Sequence, residues 1–145
     1  MLLSHDDQGS GPAVLLLHAG VADRRMWGPL ANPLGHSFRV VRPDLRGFGG
    51  SALPSGPYCD ADDLDALLTH LGIDQAAVVG SSYGGRVAME LATTHPGRVS
   101  SLVLVNPAYR GLEPTAAAQA VGQEEERLLE AGDVDGAVQL MVRTW

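Results

Sequence analysis

Val78-Val79-Gly80-Ser81-Ser82-Tyr83-Gly84-Gly85 is the stretch on which the reading of this sequence turns. It spells G-x-S-x-G on Gly80, Ser82 and Gly84. The apolar run Ala76-Ala77-Val78-Val79 precedes it, and a helical pattern over Tyr83 to His95 follows. That pattern sets Gly84, Val87, Ala88, Leu91 and Ala92 on one stripe and stops at Pro96-Gly97. A turn this sharp, from strand into helix, needs small residues two positions either side of the serine. It thrusts the serine above the sheet at a helix N-terminus, where the dipole and unused N–H groups favour negative charge. Ser82 is therefore the candidate nucleophile. The alternative is a glycine-rich turn that packs or holds a phosphate, but neither G-x-G-x-x-G nor Gly-Lys-Ser/Thr is present here to support nucleotide binding.

Working outward, three more apolar runs have strand length: Ala13-Val14-Leu15-Leu16-Leu17, Phe38-Arg39-Val40-Val41 and Leu102-Val103-Leu104-Val105. The Ala/Val/Leu runs are continuous, as in strands buried on both faces of a parallel sheet. Asp60 to Leu71 places Leu64, Leu67, Leu68 and Leu71 at helical spacing, with Asp60, Asp62 and Asp63 suited to the dipole at its start. Between Asp23 and Leu34 the helical pattern is interrupted by Pro29 and Pro33, and Leu2 to His5 leaves room for one strand. The alternation predicts an α/β fold with a mostly parallel open sheet and flanking helices. After Asn106-Pro107 the sheet pattern stops. Thr115 to Ala131 and Val134 to Trp145 read as two helices, the first ended by Gly132 and the second capped by Asp133. Val134, Ala137, Val138, Met141 and Trp145 share a face of the second. Glu124-Glu125-Glu126 is a solvated helix face.

The composition is that of one globular domain: 145 residues, 45% hydrophobic and 19% charged. Ten Lys+Arg against seventeen Asp+Glu, a net charge of -7, argue against a general nucleic-acid binder. A single cysteine, Cys59, excludes an internal disulfide and a multi-cysteine zinc site, and no histidine motif accompanies it for thiol chemistry. No apolar run approaches the roughly 18 residues of a membrane span. The first residues lack the features of a signal peptide, so a soluble, cytoplasmic protein is expected, with no membrane partner. No cluster has metal-ligand spacing and a serine mechanism needs no cofactor, so none is expected.

Leu15-Leu16-Leu17-His18-Ala19-Gly20, with Trp27 nine residues after His18, adds a second motif, and here the chain resembles the N-terminal part of an α/β-hydrolase. Arg42-Pro43-Asp44-Leu45-Arg46-Gly47-Phe48-Gly49-Gly50-Ser51 is similar to that family's D-x-R-G-x-G-x-S loop, and Asn106-Pro107-Ala108-Tyr109-Arg110-Gly111 resembles its exit from the sheet toward a helical cap. The motifs cover residues 13 to 111. The resemblance implies a core over residues 1–111 and the start of a helical cap over 112–145. It implies Ser82 as nucleophile, with the backbone N–H groups of Gly20 and Tyr83 as oxyanion hole. Ala19 stands where the family most often has glycine, so a shift of the first donor to Val21 stays open. His18 is expected as a structural hydrogen-bonder beside the site, Trp27 as core or pocket wall, and His18, Val21 and Trp27 as pocket residues. Asp44 and Arg46 are expected to organise their loop, not to supply the triad acid.

The family's triad runs Ser, acid, His. After Ser82 the only histidine is His95, about 18–20 Å along the helix. His5, His36 and His70 read as surface residues. Asn106 occupies a place where some members have the acid, and Glu113 is a weak substitute. Glu130, Asp133 and Asp135 fall in the expected cap. The chain thus reads as C-terminally truncated, with nucleophile and oxyanion hole but without the activating pair, and as inactive alone. The expected function is hydrolysis of a small ester or lactone, in the esterase, enol-lactonase and cofactor-free haloperoxidase neighbourhood. A serine disfavours dehalogenase chemistry, where the family places aspartate. The alternative is a non-catalytic binding or interaction module, or a remnant of the same fold. An uncovered strand ending at Val105, and cap helices without partners, lead us to expect homo-oligomers or poor solubility.

Overall fold

A computed structural model describes residues 2–109, 111 and 113–144. The chain divides into two compact units, residues 1–110 and 111–145. The first is built on a five-stranded sheet of order β1-β3-β2-β4-β5. Its strands are β1 (His5–Gln8), β2 (Ala13–Leu17), β3 (Arg39–Pro43), β4 (Ala76–Ser81) and β5 (Val99–Val105). β2 to β5 run parallel, and β1 is antiparallel to β3. Helices α1 (Gly28–Leu34), α2 (Asp60–His70) and α3 (Tyr83–Thr94) fill the crossovers, with a 3-10 turn over Arg24–Trp27 ahead of α1.

β2 explains why a continuous apolar run was needed. Leu15 and Leu17 point to one face, joining Val41, Leu64, Leu67, Leu68, Val78, Val87 and Leu91 beneath α2 and α3. Val14 and Leu16 point to the other, joining Trp27, Ala31 and Val40. Each fully buried leucine contributes on the order of 1.5–3 kcal/mol. β5 departs from the expectation of burial on both faces: Leu102, Val103, Leu104 and Val105 are 37–51% exposed. The run has strand composition, but among the described residues only β4 flanks it. The first strand also lies later than expected, at His5–Gln8. Leu3, 2% exposed, enters the core instead, and His5 is a strand residue.

The second unit contains α4 (Ala116–Glu130) and α5 (Val134–Thr144). The Thr115 hydroxyl accepts the Ala118 N–H at 3.2 Å, and the Asp133 carboxylate accepts that of Gly136 at 2.9 Å, as caps should. On the face expected for α5, Ala137 is buried, whereas Val134 and Val138 are more than half exposed; Trp145 lies outside the described residues. No helix among the described residues is long and apolar enough to cross a membrane.

Candidate active site

β4 delivers Ser82 to the C-terminal edge of the parallel strands, and α3 begins at the next residue. Ser82 has φ 48 and ψ -111. For a residue with a Cβ this conformation costs on the order of 1–3 kcal/mol, so the surroundings must hold it. The Ser82 N–H donates to the Val105 carbonyl at 3.0 Å, and the Ser82 carbonyl accepts from Arg86 N–H at 3.1 Å and Ala108 N–H at 2.9 Å. The flanking glycines are set by close backbone approach. A Cβ on Gly80 would lie 2.4 Å from the Gly84 carbonyl oxygen, and one on Gly84 would lie 2.4 Å and 2.5 Å from those of Leu17 and His18. α3 is thus seated directly on the end of β2.

That seating brings the two expected oxyanion donors together. A Cβ built on Gly20 would fall 3.3 Å from Tyr83 Cβ. Tyr83 opens α3, so its N–H has no carbonyl four residues back within the helix. Among the described residues, no hydrogen bond is donated by the N–H of Gly20, Val21 or Tyr83. Gly20 and Val21 border a concavity of about 570 Å³, whose other wall is Gly47, Phe48 and Gly49 and whose floor includes Met26. Val21 is 66% exposed at its rim.

The other two expected pocket residues sit elsewhere. Trp27 belongs to the core on the sheet face away from α3, packed with Val14, Leu16 and Val40, because the 3-10 turn folds it back under β2 and β3. His18 is fully buried. Its Nε2 accepts the Leu45 N–H at 3.0 Å, so this nitrogen carries no proton, and Nδ1–H donates to the Ala19 carbonyl at 2.8 Å. Both ring nitrogens are committed to backbone, which suits a fastener and not a base for Ser82.

The loop that His18 fastens is ordered from within. Asp44 accepts from the Arg24 N–H at 2.9 Å, from the Gly50 N–H at 2.7 Å and from the Arg24 guanidinium. Gly49, at φ +50, lies so close to that carboxylate that no Cβ fits. Ser51 Oγ donates to the Asp44 carbonyl at 2.7 Å, and Arg46 grips Asp63 of α2 at 2.5 and 2.8 Å. The Asp44 carboxylate is fully engaged in this loop. Phe48, at its tip, contacts the His18 ring edge-on at 5.0 Å and the Tyr83 ring at 5.9 Å.

One group at the site was not singled out from the sequence. In the sequence Asp60 is only an acidic residue at the start of a helix, yet in the structure it is buried and its Oδ2 accepts a hydrogen bond from the Tyr83 hydroxyl at 2.6 Å. The Arg86 guanidinium covers the Tyr83 ring at 4.4 Å. Burial pushes the Asp60 carboxyl above the ordinary range, although the Tyr83 hydrogen bond and the Arg86 charge pull it down. Burial and the Asp60 carboxylate raise Tyr83. At the far rim, hydrogen bonds from Arg25 hold Asp23 down at about 2.

No described histidine is placed to activate Ser82. His36 and His95 follow the ends of α1 and α3, and His70 is the last residue of α2; each precedes the start of a parallel strand, at the edge opposite Ser82. His95 sits 3.5 Å from Asp62. His5 is on β1, three strand spacings of about 4.8 Å from β4. Asn106, at φ 46, is not an acid, and Glu113 is exposed in the second unit. No group of three or more potential metal ligands occurs among the described residues.

A family model described as alpha/beta hydrolase fold matches residues 12–134. Fluoroacetate dehalogenase of Burkholderia sp is 38% identical over 111 residues, which is 70% of this chain and 36% of that protein. A thermophilic esterase from Thermogutta terrifontis superposes with a TM-score of 0.74 at 37% identity, over 87% of this chain and 47% of that one. An N-acyl homoserine lactone degrading enzyme superposes with a TM-score of 0.73 at 30% identity, over 87% and 52%. The chain spans between 30% and 42% of the length of the first curated relatives it matches.

Proposed function

Because this chain belongs to the alpha/beta-hydrolase family, we propose that it carries the nucleophile-bearing part of a serine hydrolase acting on a small ester or lactone. In this reading the Ser82 oxygen attacks the substrate carbonyl, and the N–H groups of Gly20 and Tyr83 hold the oxyanion that forms. Residues 1–111 form the catalytic core part, and 112–145 begin a helical cap. The observation that carries the reading is the elbow. Ser82 is held at a strained φ of 48, and Gly20 lies so near the next residue, Tyr83, that a Cβ built on it would fall 3.3 Å from Tyr83 Cβ. The open concavity bordered by Gly20 and Phe48 is not lined by Ser82 itself; it adjoins the proposed donor Gly20 and offers room for a small substrate's remainder.

The likeness to a dehalogenase does not extend to its chemistry in this proposal. Displacement of a halide by a serine oxygen would leave an ether, which offers water no carbonyl to attack. Attack on an ester or lactone leaves an acyl-serine, which water can hydrolyse. The base and acid are assigned to polypeptide outside the described residues, because every described histidine is committed or distant. That same observation favours a second reading, a non-catalytic module of the same fold. Self-association through the exposed β5 edge is part of the proposal.

The test is labelling by a fluorophosphonate, in which Ser82 Oγ bonds to phosphorus, fluoride leaves and the hydroxyl proton passes to a base. Added imidazole supplies that base. The proposal expects slow labelling, accelerated by imidazole and abolished by Ser82→Ala. Absence of Ser82-dependent labelling at every imidazole concentration would favour the non-catalytic module.

A further inference from the structure

Tyr83 does two things at once. Its backbone N–H is a proposed oxyanion donor, and its side chain runs to a buried carboxylate on another helix. The hydroxyl donates to Asp60 Oδ2 at 2.6 Å, and Asp60 Oδ1 is buried with no hydrogen-bond partner among the described residues. The tyrosine hydroxyl is thus the donor seen on this carboxylate among the described residues. The groups facing Asp60 include Arg86 and Glu90 on α3, Asp63 on α2, Tyr83 itself, and Arg46 from the loop after β3. The Tyr83 ring is closed in by the Arg86 guanidinium at 4.4 Å and by Phe48, which in turn rests on His18. Three loops meet at this ring. They follow β2, β3 and β4, and they carry Gly20, Phe48 and Ser82.

The ring's fixed place bears on the backbone behind it. Gly20 passes so near the Tyr83 side chain that a Cβ built on it would fall 3.3 Å from Tyr83 Cβ and 3.7 Å from Cγ. A ring held at its far end resists rotation of that side chain against the Gly20 loop, and so steadies the first turn of α3 beside Gly20. Gly20 and Tyr83 bear the proposed oxyanion donors. We propose that Asp60 is a positioning residue for the oxyanion hole: by holding the Tyr83 hydroxyl it fixes the spacing between the Gly20 and Tyr83 N–H groups. The inference rests on the reading of Ser82 as nucleophile, and it deepens that reading by naming what keeps the two donors in register. Asp60 touches neither serine nor substrate in this role.

The test uses the whole chain, labelled with nitrogen-15, and phenylboronic acid as the probe. Ser82 Oγ bonds to the trigonal boron, which becomes tetrahedral and anionic, and the hydroxyl proton passes to buffer. No base in the protein is required. Saturable shifts of the Gly20 and Tyr83 amides report occupancy of the hole. In the native chain these shifts should appear and should vanish in Ser82→Ala. Affinity should fall about tenfold or more in Asp60→Ala and in Tyr83→Phe. Asp60→Asn, whose carbonyl still accepts the phenol proton, should restore it to within about threefold, a rescue that loss of a mere packing contact would not give. Should Asp60→Ala not fold, Tyr83→Phe and Asp60→Asn carry the comparison. Native affinity in a folded Tyr83→Phe would overturn the inference and leave the nucleophile reading standing. Absence of any Ser82-dependent shift in the native chain would overturn both.

Discussion

Two glycines in two helices should respond oppositely to the same substitution. In Gly84→Ala the new Cβ would lie 2.4 Å from the Leu17 carbonyl oxygen and 2.5 Å from that of His18. Real Cβ contacts essentially never fall below 3.0 Å, so α3 must retreat by at least about 0.6 Å, the difference between 3.0 and 2.4. The obstructing atoms are backbone and cannot rotate aside. Overpacking of this kind costs about 1–3 kcal/mol, and here the upper end applies. Alanine's helix propensity returns about 1 kcal/mol, leaving a net loss of about 2 kcal/mol. In Gly122→Ala nothing lies within 4 Å of the new Cβ. There the propensity gain stands alone, and α4 should be stabilised by about 0.5–1 kcal/mol. The assay is urea unfolding followed by Trp27 fluorescence in a Trp145→Phe background, with far-UV circular dichroism for α4. With a slope of about 2 kcal/mol per molar, Gly84→Ala should lower the midpoint by about 1 M. The retreat also moves the Tyr83 N–H, so boronate affinity should drop with it. A Gly84→Ala midpoint within about 0.2 M of the native value would refute the backbone-on-backbone seating of α3.

Asp44→Asn should destabilise the first unit by about 3 kcal/mol, because one amide cannot accept from Arg24 and Gly50 as a carboxylate does. Urea midpoints check the loss, and faster proteolysis within residues 44–51 should accompany it. His18→Ala leaves the buried Leu45 N–H without its acceptor and should cost about 1–3 kcal/mol before lost packing is counted, read by the same titration. Two carboxylates should give opposite pH signatures. Asp23 is depressed to about 2, so its contribution is present above the unfolded value of 3.8 and is lost as pH falls toward 2; Asp23→Asn should flatten stability across that window. Asp60 is raised, so its contribution is complete below 3.8 and is lost as pH rises through its folded value. Asp60→Asn should remove that decline, measured as the urea midpoint against pH.

The parts of this fold legible in sequence are those fixed by local periodicity and local chemistry. The G-x-S-x-G turn, the runs that became β2 and β4, and the leucine spacing of α2 each encode their own conformation. Burial was less legible, because it belongs to neighbours. Leu102 to Val105 has the composition of a central strand, yet it lies at an edge. Trp27 could have faced either side of the sheet until the 3-10 turn over Arg24–Trp27 settled it. The role of His18 as fastener was expected, but the Leu45 N–H it accepts is 27 residues away, beyond any spacing rule. The Asp60–Tyr83 bond joins two helices 23 positions apart. Asp60, Asp62 and Asp63 carry the same local signal, an acidic residue in a first turn, so nothing in the sequence marks Asp60 out.

The bond from the Ser82 N–H to Val105 ties the strained residue to the outermost strand of the sheet. Amides in a protein exchange with solvent through openings of graded cost, and an edge strand opens more cheaply than the core beneath α2 and α3. Ser82 therefore shares the opening energy of β5, although β4, which carries it, is paired on both sides. When the end of β5 frays, Ser82 can relax toward an ordinary backbone conformation, and its strain favours that excursion. Deuterium should thus enter at Ser82 and Ala108 together, well before it reaches Val78. Whatever covers β5 would slow that exchange and so govern how long the serine keeps its reactive posture.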